Sequence, residues 1–71
     1  MIKDFLKPSK QTNGRWCIGN NELYCGYPIS VKIKSTWIKG RVEHSRGCYY
    51  FLADDLKLDL SNDLYGRDDR K

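Results

Sequence analysis

The chain has 71 residues, of which 39% are hydrophobic and 31% charged, and it carries a net charge of +4. One domain of this length buries only about 60% of its unfolded surface, which leaves little room for a deep catalytic cavity behind the core. No stretch approaches the ~20 apolar residues of a membrane-spanning helix. Residues 1 to 12 lack the apolar run of a secretory signal, so the expectation is a cytoplasmic protein with reduced thiols.

Ile2, Phe5 and Leu6 share a face only in a single helical turn, and Pro8 disfavours a longer helix. Residues 1–13 are therefore expected to form an arm lying over an open end of the domain, with its first residues mobile. Asn13-Gly14 is a turn signal. Arg15-Trp16-Cys17-Ile18 and Leu23-Tyr24-Cys25 follow as a hairpin around Gly19-Asn20-Asn21. Pairing Ile18 with Leu23 sets Trp16 opposite Cys25 and keeps one face apolar. Gly26 punctuates, and Pro28 can open the next strand because a first position need not donate a ladder bond.

Ile29 to Lys34 and Trp37 to Glu43 alternate apolar and polar residues, the period of a strand with one dry face. Opposing Ile33 to Ile38 also opposes Val31 to Gly40 and Ile29 to Val42, which collects the apolar residues on one side. The other side then pairs Lys34 with Trp37, Lys32 with Lys39 and Ser30 with Arg41. Ser35-Thr36 lacks the Gly or Asn that tight primed turns prefer, but a four-residue loop preserves the same facing. His44-Ser45-Arg46-Gly47 suits a type I turn with Gly47 in a left-handed bulge, opposing Val42 to Tyr50 and Gly40 to Leu52. Tyr49 and Phe51 then join the basic face, and a slip of one residue would exchange them for Tyr50 and Leu52. Gly40 in mid-strand marks a bend or a close backbone approach.

Lys57 to Leu60 alternates and suits a last short strand, Ser61-Asn62-Asp63 a turn, and Leu64-Tyr65 a return to the sheet. The fold class that follows is all-β, a small antiparallel SH3-like, partly open barrel of about five strands. Residues 14–65 form the single β domain, and 66–71 a frayed charged tail. Charge follows the same division: residues 30–50 hold a local +4 and residues 54–71 a local −2.

The constellation richest in chemistry is the basic, aromatic face of Lys32, Lys34, Trp37, Lys39, Arg41, Tyr49 and Phe51. Rings stack on bases or on peptide side chains, and lysines neutralise phosphates. The competing reading is a face covered by a second layer, either the Ile2-Phe5-Leu6 arm or the Leu56-Leu58-Leu60 stretch. Cys17, Cys25, His44 and Cys48 have zinc-ligand chemistry but no Cys-x-x-Cys knuckle, and the hairpin register turns Cys17 and Cys25 to opposite faces, so no metal or cofactor is expected. His44 beside Ser45 or Cys48 is a conceivable nucleophile–base pair with nothing to orient it, and no catalysis is expected.

Gly14-Arg15-Trp16-Cys17-Ile18, Glu22-Leu23-Tyr24-Cys25-Gly26, Trp37-Ile38 with Arg41-Val42-Glu43, and Tyr49-Tyr50-Phe51-Leu52 stand in an order that resembles a known family. It is a small uncharacterised domain of Gram-positive bacteria, the domain of unknown function DUF5348, often found near mobile elements. The resemblance spans about residues 14 to 60. It implies a small all-β fold and carries over no catalytic or binding residues. Asp63 to Lys71 is more polar than the family's regular final strand, which leaves open whether that strand forms here. The functional expectation is a non-catalytic, monomeric binding module for a protein or peptide, with a strand added at a sheet edge. Weak nucleic-acid binding through the basic face is the alternative.

Overall fold

A computed structural model describes residues 2–70. Among them every regular element is a strand: β1 (Lys3–Phe5), β2 (Lys7–Pro8), β3 (Trp16–Ile18), β4 (Asn21–Glu22), β5 (Pro28–Ile33), β6 (Thr36–Ser45), β7 (Cys48–Ala53), β8 (Leu56–Asp59) and β9 (Tyr65–Asp68). They form an antiparallel six-stranded sheet in the order β1-β9-β5-β6-β7-β8 and a three-stranded sheet β2-β3-β4. The larger sheet does not close on itself. Strands β5 to β8 are a meander, and β9 returns to fill the space between β5 and β1.

The alternation from Ile29 to Val42 folds with the expected facing but with a shifted register. Val31 opposes Ile38, Ile33 opposes Thr36 and Lys32 opposes Trp37. The pairing has moved by two residues, so every side chain keeps its face while the neighbours change. Lys32 and Lys39 are not opposed; Lys39 lies across from Ser30. The shift follows from the turn, which falls on Lys34-Ser35 with both residues in the left-handed region (φ 49° and 71°). That conformation costs a non-glycine residue roughly 1–2 kcal/mol. Lys34→Asn with Ser35→Gly is therefore expected to stabilise the domain by about 1 kcal/mol. A melting temperature unchanged or lowered by the pair would refute the turn assignment.

The β6–β7 register differs by one residue, and here the facing inverts. Val42 opposes Phe51 and Arg41 opposes Leu52, because the connection is a two-residue turn at Arg46-Gly47 with positive φ at both (52° and 80°). The bulged turn expected over His44–Gly47 would have added one residue to the loop. Phe51 is consequently buried in the core, and Tyr49 packs half-buried against it. Neither belongs to the basic face. Gly40 accommodates this ring: a Cβ there would sit 2.4 Å from the Leu52 carbonyl oxygen and 2.7 Å from Phe51 Cζ.

The core joins Ile29, Val31, Val42 and Phe51 of the large sheet to Leu6, Ile18, Leu23, Tyr27 and Leu60. Burying each such aliphatic or aromatic side chain contributes roughly 1.5–3 kcal/mol. The small hairpin also shifts by two residues, with Ile18 opposite Asn21 and Cys17 opposite Glu22. Its Ile18 reaches β9, where a Cβ on Gly66 would lie 3.0 Å from Ile18 Cδ1 and 2.6 Å from Leu6 Cδ1.

Both chain ends depart from the sequence expectation. Residues 2–13 do not form an arm over an open end; Met1 and Lys71, the ends of the expected arm and tail, lie outside the described residues. Lys3–Phe5 add β1 to the sheet edge, Leu6 is fully buried, and Lys7–Pro8 pair with β3. Residues 66–68 are not frayed: they complete β9, flanked by β1 and β5, and Asp68 is fully buried. Backbone hydrogen bonds on both flanks outweigh the polarity of the side chains there.

Candidate functional site

The outer face of the large sheet is built from two rows of residues running across its strands. The register aligns Phe5 with Tyr65, Tyr65 with Lys32, and Lys32 with Trp37. The adjacent row aligns Lys3, Arg67, Ser30 and Lys39. Three strands thus each supply an aromatic and a cation two residues apart: Phe5 and Lys3 on β1, Tyr65 and Arg67 on β9, Trp37 and Lys39 on β6. Two residues of strand separate the rows by about 6.7 Å.

The rings touch one another. Phe5 and Tyr65 meet edge to face with centroids 5.0 Å apart, and Trp37 lies 5.8 Å from Tyr65. Phe5 is 54% exposed, an unusual state for phenylalanine, while Tyr65 and Trp37 are half-buried. The guanidinium of Arg67 sits 5.0 Å from the Trp37 ring centre and the Lys3 ammonium 5.9 Å. Arg67 is held in place by two side-chain hydrogen bonds. Its Nε donates to Asp69 Oδ1 at 2.8 Å and its Nη2 to Ser30 Oγ at 2.9 Å, and Ser30 donates in turn to Asp69 at 2.7 Å. That network explains why Ser30, on the outward side of β5, is nonetheless fully buried.

Of the residues singled out from the sequence, Lys32, Trp37, Lys39 and Arg41 share this outer face. Lys32 and Lys39 are exposed and have no carboxylate partner among the described residues. Arg41 is engaged: its Nε donates to Glu43 at 2.6 Å and holds that carboxyl below its usual range, helped by the Cys25 thiol. Lys34 is in the β5–β6 turn, at the end of the face. Tyr49 and Phe51 are on the opposite side; the Tyr49 ring packs 4.5 Å from His44, and its hydroxyl accepts from Arg15 at 3.4 Å.

Four participants escaped the sequence reading: Lys3, Phe5, Tyr65 and Arg67. The available signal was the spacing of two in Lys3-x-Phe5 and Tyr65-x-Arg67. Each segment is too short to establish a period, and Ile2-Phe5-Leu6 suggested a helical turn instead. Neither candidate second layer covers the face, since the N-terminal segment extends the sheet sideways and Leu60 enters the core.

A second polar cluster lies inside the molecule. Asp68 accepts from the Tyr27 hydroxyl at 2.8 Å, from Asn21 Nδ2 at 3.3 Å and from the Arg70 backbone N–H at 2.9 Å. Burial, then the bond to Asp68, pushes the Tyr27 hydroxyl up to about 12. An unfolded tyrosine ionises near pH 10, so between these values the unfolded chain binds fewer protons than the folded one. The stabilising contribution is complete below pH 10 and is lost as pH rises towards 12, on the order of 2 kcal/mol. Urea denaturation at rising alkaline pH is expected to show this loss in the native protein and not in Tyr27→Phe. Equal slopes for both proteins would contradict it.

An open groove of about 290 Å³ runs beside the small sheet, among Lys7, Lys10, Cys17 and Glu22. Glu22 is occupied by the Ser9 hydroxyl and lies 3.9 Å from Arg15; the Ser9 bond, chiefly, holds its carboxyl below the usual range. Cys17 is buried, and Cys25 and Cys48 are exposed elsewhere. No described helix is long and apolar enough to cross a membrane.

No curated protein matches the chain. No solved structure matches it either. A family profile described as a domain of unknown function, DUF5348, matches residues 9–67. That span contains strands β3 to β8 whole and all but the last residue of β9, and on it the chain belongs to the DUF5348 family.

Proposed function

We propose that the domain is a non-catalytic binding module whose working surface is the outer face of the six-stranded sheet, and that its partner is anionic there. One observation carries this reading: a row of partly exposed rings, Phe5, Tyr65 and Trp37, runs beside lysines that have no carboxylate partner among the described residues. Desolvating three aromatics and leaving cations unneutralised favours a ligand that supplies both a flat apolar surface and negative charge. The non-catalytic reading is supported by the separate contacts of two reactive side chains, the Cys25 thiol with Glu43 and the His44 ring with Tyr49. The order β9-β5-β6-β7-β8 supports an SH3-like description of these five strands, with the last strand beside the first of a meander.

Titration with inorganic polyphosphate, followed by amide resonances, tests the surface. Shifts are expected along β1, β9, β5 and β6, with affinity falling as salt rises. Lys39→Glu should weaken binding roughly tenfold at low salt. Shifts confined to the small sheet, or none at all, would refute the proposal.

Protein or peptide interaction by strand addition is a second reading, and the two sheet edges favour one site for it. On β1 the outward Phe5 N–H is capped by Asp4 Oδ1 at 2.8 Å, which blunts that edge. The opposite edge strand, β8, pairs only with β7 and would be the site of addition.

A further inference from the structure

We infer that the anionic ligand is single-stranded nucleic acid, lying across β1, β9, β5 and β6 with its bases over the aromatic row and its phosphates along the cationic row. The inference rests on the binding face proposed above and adds the class of ligand.

The pairing of rings with charges carries the argument. Lys3 with Phe5, Arg67 with Tyr65 and Lys39 with Trp37 repeat one aromatic and one cation on three strands, in two rows side by side. A single strand likewise sets a line of flat bases beside a line of phosphates, so its two kinds of unit match the rings and the free cations of Lys3, Lys32 and Lys39. Aromatic platforms accept any base, because every base has a π-face. Arg67 differs from the lysines: Asp69 already neutralises it and its guanidinium is over the Trp37 ring, so it extends the stacking surface more than it contacts phosphate.

Duplex is disfavoured by the same geometry. Its bases are stacked on one another inside the helix and are not free to meet the rings of a sheet face, and no described helix is available to enter a groove. An acidic peptide would satisfy the lysines but leaves the rings to be covered by side chains it need not possess. The 54% exposure of Phe5 fits a ring that completes its burial on binding.

The test uses the full chain with four probes: a short oligothymidylate, its duplex with oligoadenylate, inorganic polyphosphate and poly-glutamate. The single strand is expected to bind most tightly, with log affinity falling against log salt at a slope of about −2, set by the two or three lysines. Phe5→Ala should weaken oligothymidylate roughly tenfold and leave polyphosphate unchanged. Phe5→Leu, which keeps the apolar contact with Tyr65 and removes the ring, should behave like Phe5→Ala. Equal binding of single strand and polyphosphate, both indifferent to Phe5, would overturn the inference while the anionic-face reading stands. Tighter binding of duplex or of poly-glutamate would also overturn it, and binding of none of the four would sink both readings.

Discussion

Phe51→Ala is expected to leave little folded protein at 25 °C. Truncating a fully buried phenylalanine costs roughly 3–5 kcal/mol, and a domain of this length has about 4–10 kcal/mol of total stability. Phe51 has no exposed surface, and its ring lies against the position where Gly40 lacks a Cβ. The cavity cannot collapse easily, because the neighbouring contact is backbone. Tyr50→Ala is the matched control. Tyr50 is on the outer face, half-exposed, with the Lys57 ammonium 4.5 Å from its ring centre, and its loss should cost about 1 kcal/mol. Urea denaturation of the two variants reads the β6–β7 register directly. If Tyr50→Ala proves the more damaging, the strand is turned over and Phe51 returns to the basic face.

The second large effect is at the other end of the chain. Asp68→Ala is expected to cost about 3 kcal/mol, because bonds to a charged acceptor are worth roughly 1.5–3 kcal/mol each and do not add in full. The substitution orphans the Tyr27 hydroxyl, which is only 2% exposed, together with the Asn21 amide and the Arg70 N–H. Asp68→Asn should cost less, since one acceptor oxygen remains. Asp63→Ala, on the exposed turn before β9, should change stability by no more than about 0.5 kcal/mol. Denaturation of Asp68→Ala at the urea midpoint of the native protein would mean that residues 66–70 are the loose tail their composition suggests.

These two residues also mark how far the fold and the site could be read in advance. Alternation from Ile29 to Val42 is long enough to establish strands and the side each residue faces, and it put Lys32, Trp37, Lys39 and Arg41 on one surface. Facing survives a register shift of two, which is why the β5–β6 and β3–β4 errors were harmless to it. It does not survive a shift of one. Cys48 to Ala53 is apolar throughout, so its own pattern could not choose a face, and the decision fell to a turn that accepts Arg46 in the left-handed region.

Composition and periodicity by themselves determined an all-β domain, its central meander and a lysine-bearing face, because those depend on side-chain patterns local to each strand. Tertiary structure decided which aromatics join that face. Phe5, Tyr65 and Arg67 lie in short terminal segments whose strands exist only because β9 can bond to β1 on one side and β5 on the other. No local propensity encodes such a pairing: its free energy comes from ladder bonds and burial that appear only when residues from opposite ends of the chain meet.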